Sequence, residues 1–243
     1  ADETLRDTSY EKLMPPLVPE LRQKVFEWRE NGYPDISDTG RTLLNWWFKS
    51  PHPSPNADGT IGNFEYYFAQ RESVETVIYL HEFVKVKDKH DLLRFDTRGV
   101  VPPKLIDETW RRYVVKMATG SGKTKTRSLL LAWSYFHKKY EEDSDLSTNF
   151  LVIAPNIIVL DRLRTDFDGL RIFSEDPVIP DNGLDGRNWR TDFQLTLHIQ
   201  DKVGPLNPNG NIFLTNIHRV YDDKTPAPTA DDENSMDYFL GHT

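Results

Sequence analysis

The chain has 243 residues, a formal net charge of −8 and no cysteine. Disulfides and thiolate metal sites are therefore excluded, and an acidic total argues against gripping nucleic acid by global attraction while leaving room for a local basic groove. No apolar run reaches the roughly 18 residues of a membrane span, and the start Ala1–Arg6 lacks the basic-then-apolar pattern of a signal peptide, so no membrane association and a cytoplasmic location are expected.

Residues 1–62 read as a helical appendage. Leu21, Val25 and Trp28 recur at helical spacing, and Gly32-Tyr33-Pro34 stops the helix. Ser37-Asp38-Thr39 offers a cap for a second helix carrying Leu43, Leu44, Trp46, Trp47 and Phe48. That aromatic cluster reads as core packing rather than a platform for stacked bases. Residues 51–62, rich in proline and glycine, read as a loop. Residues 63–87 carry Phe64, Tyr67, Phe68, Val74, Val77, Ile78 and His81, the pattern of one long amphipathic helix. Residues 88–111, charged and containing Pro102-Pro103, read as a surface excursion.

The most informative stretch follows. An apolar segment, Tyr113 to Met117, reads as a strand and runs into Thr119-Gly120-Ser121-Gly122-Lys123-Thr124; Leu129, Leu130, Leu131, Trp133 and Phe136 then mark a helix. Strand, glycine loop and helix in that order make a phosphate-binding loop. Gly120 and Gly122 let the backbone bend so that successive N–H groups point at phosphate oxygens. The helix start adds further N–H groups and the positive end of its dipole. Lys123 would reach the β- and γ-phosphates, and the Thr124 hydroxyl would help hold Mg²⁺. Met117 stands where the strict template has its first glycine, so the loop is a variant.

Asn149 to Pro155 reads as a second buried strand, followed by a helix with Ile158, Leu163 and Phe167. Residues 171–192 read as polar and irregular. Phe193 to Ile199 and Asn211 to Asn216 read as third and fourth strands, and residues 222–237 as an acidic mobile stretch. Alternation of strands and helices after a phosphate loop implies an α/β fold, a parallel sheet with helices on both faces. His198 and His218 fit no zinc spacing. Asp231-Asp232-Glu233 has no apolar strand before it and reads as a solvated loop rather than a Mg²⁺ site.

Met117-Ala-Thr-Gly-Ser-Gly-Lys-Thr124 resembles motif I of superfamily 2 helicases and translocases, a family that often has Met or a small residue at the first loop position. Three other segments follow that family's order. Phe68-Ala-Gln70-Arg-Glu-Ser-Val-Glu-Thr-Val-Ile78 resembles the upstream glutamine element, closest to that of the helicase subunit of type III restriction enzymes and related restriction endonucleases. Leu151-Val-Ile-Ala-Pro155-Asn156 resembles motif Ia, and Phe213-Leu-Thr-Asn-Ile-His-Arg219 resembles a strand-end segment of the same restriction family. The resemblance spans residues 63 to about 221.

It implies a RecA-like first motor domain over residues 63–243 that uses ATP and Mg²⁺. Lys123 and Thr124 would carry the catalytic roles, with Thr119, Gly120, Ser121 and Gly122 cradling the phosphates. Gln70 would read adenine, since one amide offers both a donor and an acceptor to its N6 and N7 edge. Tyr67 or Arg71 would flank the base. Asn156, Arg162, Thr215, Asn216 and Arg219 would touch the backbone of double-stranded DNA, contacts that carry no sequence information and suit a motor. A methyltransferase or specificity subunit is the partner such systems imply. The family's DEAH-type motif, second motor domain and nuclease do not occur before Thr243, so the sequence reads as an N-terminal portion of a larger protein, poorly active by itself. Two other readings stay open: a generic superfamily 2 helicase on DNA or RNA, and a non-motor nucleotide-binding module whose aromatic N-terminal helices dock a partner.

Overall fold

The computed structural model describes residues 14–56, 58–101, 112–200 and 202–220. Ala1–Arg6, Pro102-Pro103, the acidic stretch 222–237 and its Asp231-Asp232-Glu233 run lie outside the described residues. The described residues fall into two compact units, one of residues 14–36, 75–101 and 112–116, the other of residues 37–56, 58–74, 117–200 and 202–220.

In the first unit, α1 (Val18–Glu30) starts with proline in its first turn and buries Val25 and Trp28, the face the spacing predicts. The Trp28 ring meets Tyr33 and Tyr79 edge-on at centroid distances of 4.8 and 5.3 Å, and its indole N–H donates to the Pro34 carbonyl at 3.0 Å. Glu75 is fully buried. It accepts from the Tyr33 hydroxyl at 2.6 Å and from the Arg29 guanidinium, whose Nε lies 2.8 Å from Oε2. A buried carboxylate survives only with such a donor set.

The helix expected over 63–87 is shorter. It comprises α3 (Phe68–Ile78) and a π-helical turn, Tyr79–Phe83, closed by the Val84 N–H donating to the Tyr79 carbonyl five residues back at 2.8 Å. Lys85, at φ +54°, then takes the chain out of the helix. The expected surface excursion contains a helical turn, α4 (Lys89–Leu93), held by a capping box between Asp88 and Asp91. Hydropathy did not signal it, because five residues with Leu92 and Leu93 as the apolar pair are too short for a periodic pattern.

In the second unit, α2 (Asp38–Phe48) begins as predicted: the Ser37 hydroxyl accepts from the Gly40 N–H at 2.9 Å. Leu43, Leu44 and Trp47 are buried, and the helix packs on α5 (Lys123–Tyr140). Trp46 and Trp47 donate their indole N–H groups to the Pro177 and Val178 carbonyls, both at 2.8 Å. Two indole donors committed to backbone suit the core reading.

Residues 51–62 are more ordered than a loop. They contain two antiparallel strands, β1 (Pro53–Pro55) and β2 (Ile61–Asn63). The two prolines that masked β1 have no N–H to donate and are tolerated because the ribbon is short and two-stranded.

The main sheet has three parallel strands in the order β3 (Asn149–Ala154), β5 (Asn211–Asn216), β4 (Thr196–Ile199). Val152, Ala154, Ile212 and Leu214 are buried, whereas Leu151 is exposed. Helix α6 (Ile157–Phe167) packs on β3 and β5, and α5 supplies Leu129, Ala132, Trp133, Tyr135 and Phe136 to the core. The segment 171–192 departs from the polar reading: Ile172, Phe173, Val178, Ile179 and Trp189 are all buried. Its apolar residues are spaced irregularly and so give no periodic signal.

One expected strand is absent. Residues 112–118 adopt no regular structure, and Val114 is 79% exposed. A β-branched run favours a strand only where a neighbouring strand accepts its hydrogen bonds.

A polar network centred on Asn211 joins the three parallel strands. The buried Asn211 amide accepts from His198 Nε2 and the Asn207 N–H, each at 2.9 Å, and donates to Asn149 Oδ1 and the Asn207 carbonyl, each at 2.8 Å. The Gly204 N–H donates to His198 Nδ1 at 3.3 Å, which assigns the ring proton to Nε2. Both imidazole nitrogens are thereby occupied.

Candidate nucleotide-binding site

The glycine loop leads directly into α5, a helix of 18 residues. Gly120 and Gly122 stand at φ +81° and +82°, the left-handed region that glycine enters without steric cost. Gly122 occupies the N-cap of α5 and offers no side-chain cap. The first N–H groups of a helix have no partner within the helix, so they remain for an anion, at the positive end of the dipole. Ser121 bends back, its hydroxyl donating to the Ala118 carbonyl at 2.6 Å. Lys123 is exposed, and its ammonium donates to the carbonyls of Met117 and Ala118 at 2.8 and 2.9 Å. The lysine thus lies across its own loop. Thr119 is exposed and Thr124 half-buried.

Gln70 belongs to this site. It is 5% exposed, not a surface helix amide. Its Oε1 accepts from the Tyr67 N–H at 2.9 Å, fixing the start of α3. Its Nε2 lies against Gly122 so closely that a Cβ built on Gly122 would collide with it and stand 3.2 Å from Cδ. The glutamine element and the phosphate loop therefore meet, 52 residues apart in sequence and in contact in space. Tyr67 and Phe68 beside it are 67% and 60% exposed. Arg71 instead lies over the Phe48 ring, 5.4 Å from its centroid.

These residues fit a nucleotide. The cradle takes no side chain at Gly122, the helix start is uncapped, and a flexible ammonium and a hydroxyl stand at its first two positions. That is the donor set a phosphate chain with its Mg²⁺ requires.

Of the other expected contacts, Thr215 and Asn216 stand at the carboxyl end of β5, where ligands of open α/β sheets bind, Asn156 and Arg219 follow strand ends, and Arg162 lies within α6. Ile153 and Ala154 of β3 pair in register with Thr215 and Asn216 of β5. Asn156 caps α6, its Oδ1 accepting from the Val159 N–H at 2.9 Å, so that oxygen is committed to the helix. Arg162 and Arg219 are exposed. Asn216 is not: it is 9% exposed, and its Oδ1 is buried without a partner among the described residues. Thr215 is half-buried. Of the five, the two arginines and Asn156 are exposed and Thr215 is partly so.

The sequence reading passed over Lys125 and Arg127, which follow the loop on α5. Lys125 forms an ion pair with Asp176, and Arg127 Nη1 is buried with no partner among the described residues. The signal for Arg127 was its spacing, four residues after Lys123 and so on the same helix face. Nothing near Lys125 in sequence announced Asp176.

Among the described residues no helix is long and apolar enough to cross a membrane. No curated protein and no solved structure matches the chain. The family model described as type III restriction enzyme, res subunit, matches residues 64–241. That span holds the glutamine element, the phosphate loop, the parallel sheet and the strand-end segment, so the fold is that of a P-loop NTPase and the chain belongs to the type III restriction enzyme res subunit family of helicase-like, ATP-using enzymes.

Proposed function

We propose that residues 63–243 form the ATP-binding first motor domain of an ATP-dependent DNA helicase or translocase of a restriction–modification system, with residues 1–62 as a helical appendage. The observation that carries this reading is the contact between Gln70 and Gly122. A phosphate loop alone serves many reactions. A glutamine amide built into its wall adds a means of choosing the base as well as holding the phosphates.

Gly120, Ser121 and Gly122 cradle the phosphate chain through the backbone, with Thr119 at the mouth of the loop. Lys123 must exchange its two carbonyl partners for phosphate oxygens, a trade of neutral for charge-assisted hydrogen bonds. Thr124 offers its hydroxyl to Mg²⁺. Gln70 selects adenine, its amide held ready by the Tyr67 N–H. Bound ATP with Mg²⁺ would supply the phosphoanhydride whose hydrolysis drives movement.

Double-stranded DNA is taken up at the carboxyl ends of β3 and β5. Arg162 and Arg219 supply charge there, Asn156 and Thr215 neutral polar contacts, and Asn216 supports from within. A methyltransferase or specificity subunit is the partner such a system calls for, and the cytoplasm its location. Fluorescence anisotropy with a labelled duplex tests the DNA face. Binding should weaken with salt and fall further in Arg162→Glu and Arg219→Glu. Wild-type affinity in the double charge reversal would remove these residues from the DNA path.

A further inference from the structure

Lys123, Lys125 and Arg127 place three cations within the first five residues of α5, whose first turn contains no acidic residue. Two of them are occupied: Lys123 donates to loop carbonyls, and Lys125 is paired with Asp176. Arg127 is in a different position. The residue is half-buried, and its Nη1 is buried with no hydrogen-bond partner among the described residues. Burial pulls its pKa below the ordinary arginine value. Taking even one guanidinium nitrogen from water without an acceptor is costly, since its hydration is lost and no hydrogen bond replaces it.

The location of Arg127 narrows what would meet it. Four residues after Lys123, it shares that residue's helix face, whereas Lys125 points elsewhere. Helical side chains lean toward the amino end of their helix, which here is the phosphate loop. The dipole of α5 favours negative charge at the same end.

We propose that Arg127 is a second cation of the phosphate site, its guanidinium taking an oxyanion of the nucleotide's phosphate chain beside Lys123. The inference rests on the nucleotide-binding reading above and deepens it. Lys123 acts as a mobile point charge, while Arg127 offers a planar fork that can engage two oxygens. A triphosphate presents more oxyanions than a monophosphate, so the contribution of Arg127 grows from AMP to ATP.

The test titrates a fluorescent ATP analogue with Mg²⁺ into the full chain, its Lys123→Ala, Arg127→Met and Arg127→Lys variants, with ATP, ADP and AMP as competitors. Arg127→Met keeps the apolar stem and removes the unpaired charge, so its unfolding midpoint should be no lower than wild type. Its affinity for ATP should fall about tenfold or more, and for AMP much less. Arg127→Lys, which keeps the charge but loses the fork, should bind ATP several-fold more weakly at an unchanged midpoint. If Lys123→Ala loses ATP while both Arg127 variants bind like wild type, this inference is overturned and the nucleotide reading stands. If Lys123→Ala binds like wild type, both are overturned. If Arg127→Met loses affinity for a DNA duplex but not for ATP, the guanidinium serves a nucleic-acid phosphate and the assignment fails.

Discussion

Replacing Gly122 by alanine probes the contact on which the functional reading depends. Two costs can be worked from the structure. At φ +82° a Cβ clashes with the local backbone, about 1–2 kcal/mol. The same Cβ collides with Gln70 Nε2. Gln70 is 5% exposed, so its amide must swing within a packed site and give up the Tyr67 N–H bond. Losing that bond, with the Gln70 Oε1 left in a packed site, costs about 1–2 kcal/mol. Gly122→Ala should therefore destabilise the second unit by about 2–4 kcal/mol. In a Gln70→Ala background the collision disappears and only the backbone cost remains, about 1–2 kcal/mol. The difference is a coupling energy of about 1–2 kcal/mol, measurable by urea unfolding of the four proteins of the double-mutant cycle followed by circular dichroism. Equal costs of Gly122→Ala in both backgrounds, within about 0.3 kcal/mol, would refute the contact. Nucleotide affinity should follow the same cycle, since a displaced loop misdirects its N–H groups.

Two further predictions concern the cores. Glu75→Ala leaves the Arg29 guanidinium and the Tyr33 hydroxyl without their shared acceptor, so urea unfolding should register a loss of about 3–5 kcal/mol; a change under about 1 kcal/mol would mean the pair is dispensable. Asn211→Ala removes all four hydrogen bonds of a buried amide and should cost about 2–4 kcal/mol, with amide exchange accelerating in β4 and β5. The exposed Asn209→Ala, as control, should cost under about 1 kcal/mol.

The elements legible in the sequence were those with a periodic or chemical signature. Val25 and Trp28 at helical spacing gave α1, Ser37 gave the start of α2, and the apolar runs at 149–154 and 211–216 gave β3 and β5. Parallel strands buried on a face leave a dense apolar record. What stayed hidden has other causes. The ribbon of β1 and β2 is built on two prolines, residues that signal loops. The core contribution of Ile172, Phe173, Val178, Ile179 and Trp189 comes from irregular backbone without a period. The segment 113–117 carries a strand's composition but has no ladder, since pairing depends on a neighbour that sequence does not specify.

The site divides in the same way. The loop glycines, Lys123 and Thr124 are contiguous and legible at sight. The contact of Gln70 with Gly122 depends on tertiary packing, and only the order of motifs hinted at it. Asn216 was read as a surface contact because its segment ends a strand, whereas the end of the central strand β5 holds it nearly buried. Arg127 gave no sequence signal beyond its spacing; its lack of a partner is visible only once the side chains are in place.

The most direct measurement is the ratio of affinities for ATP and GTP, with Mg²⁺, in the wild-type chain, Gln70→Ala and Lys123→Ala. The account predicts that wild type prefers ATP, that Gln70→Ala loses the preference while still binding phosphates, and that Lys123→Ala loses affinity for both nucleotides by about tenfold or more. Equal affinity for ATP and GTP in wild type, or undiminished binding in a well-folded Lys123→Ala, would contradict it.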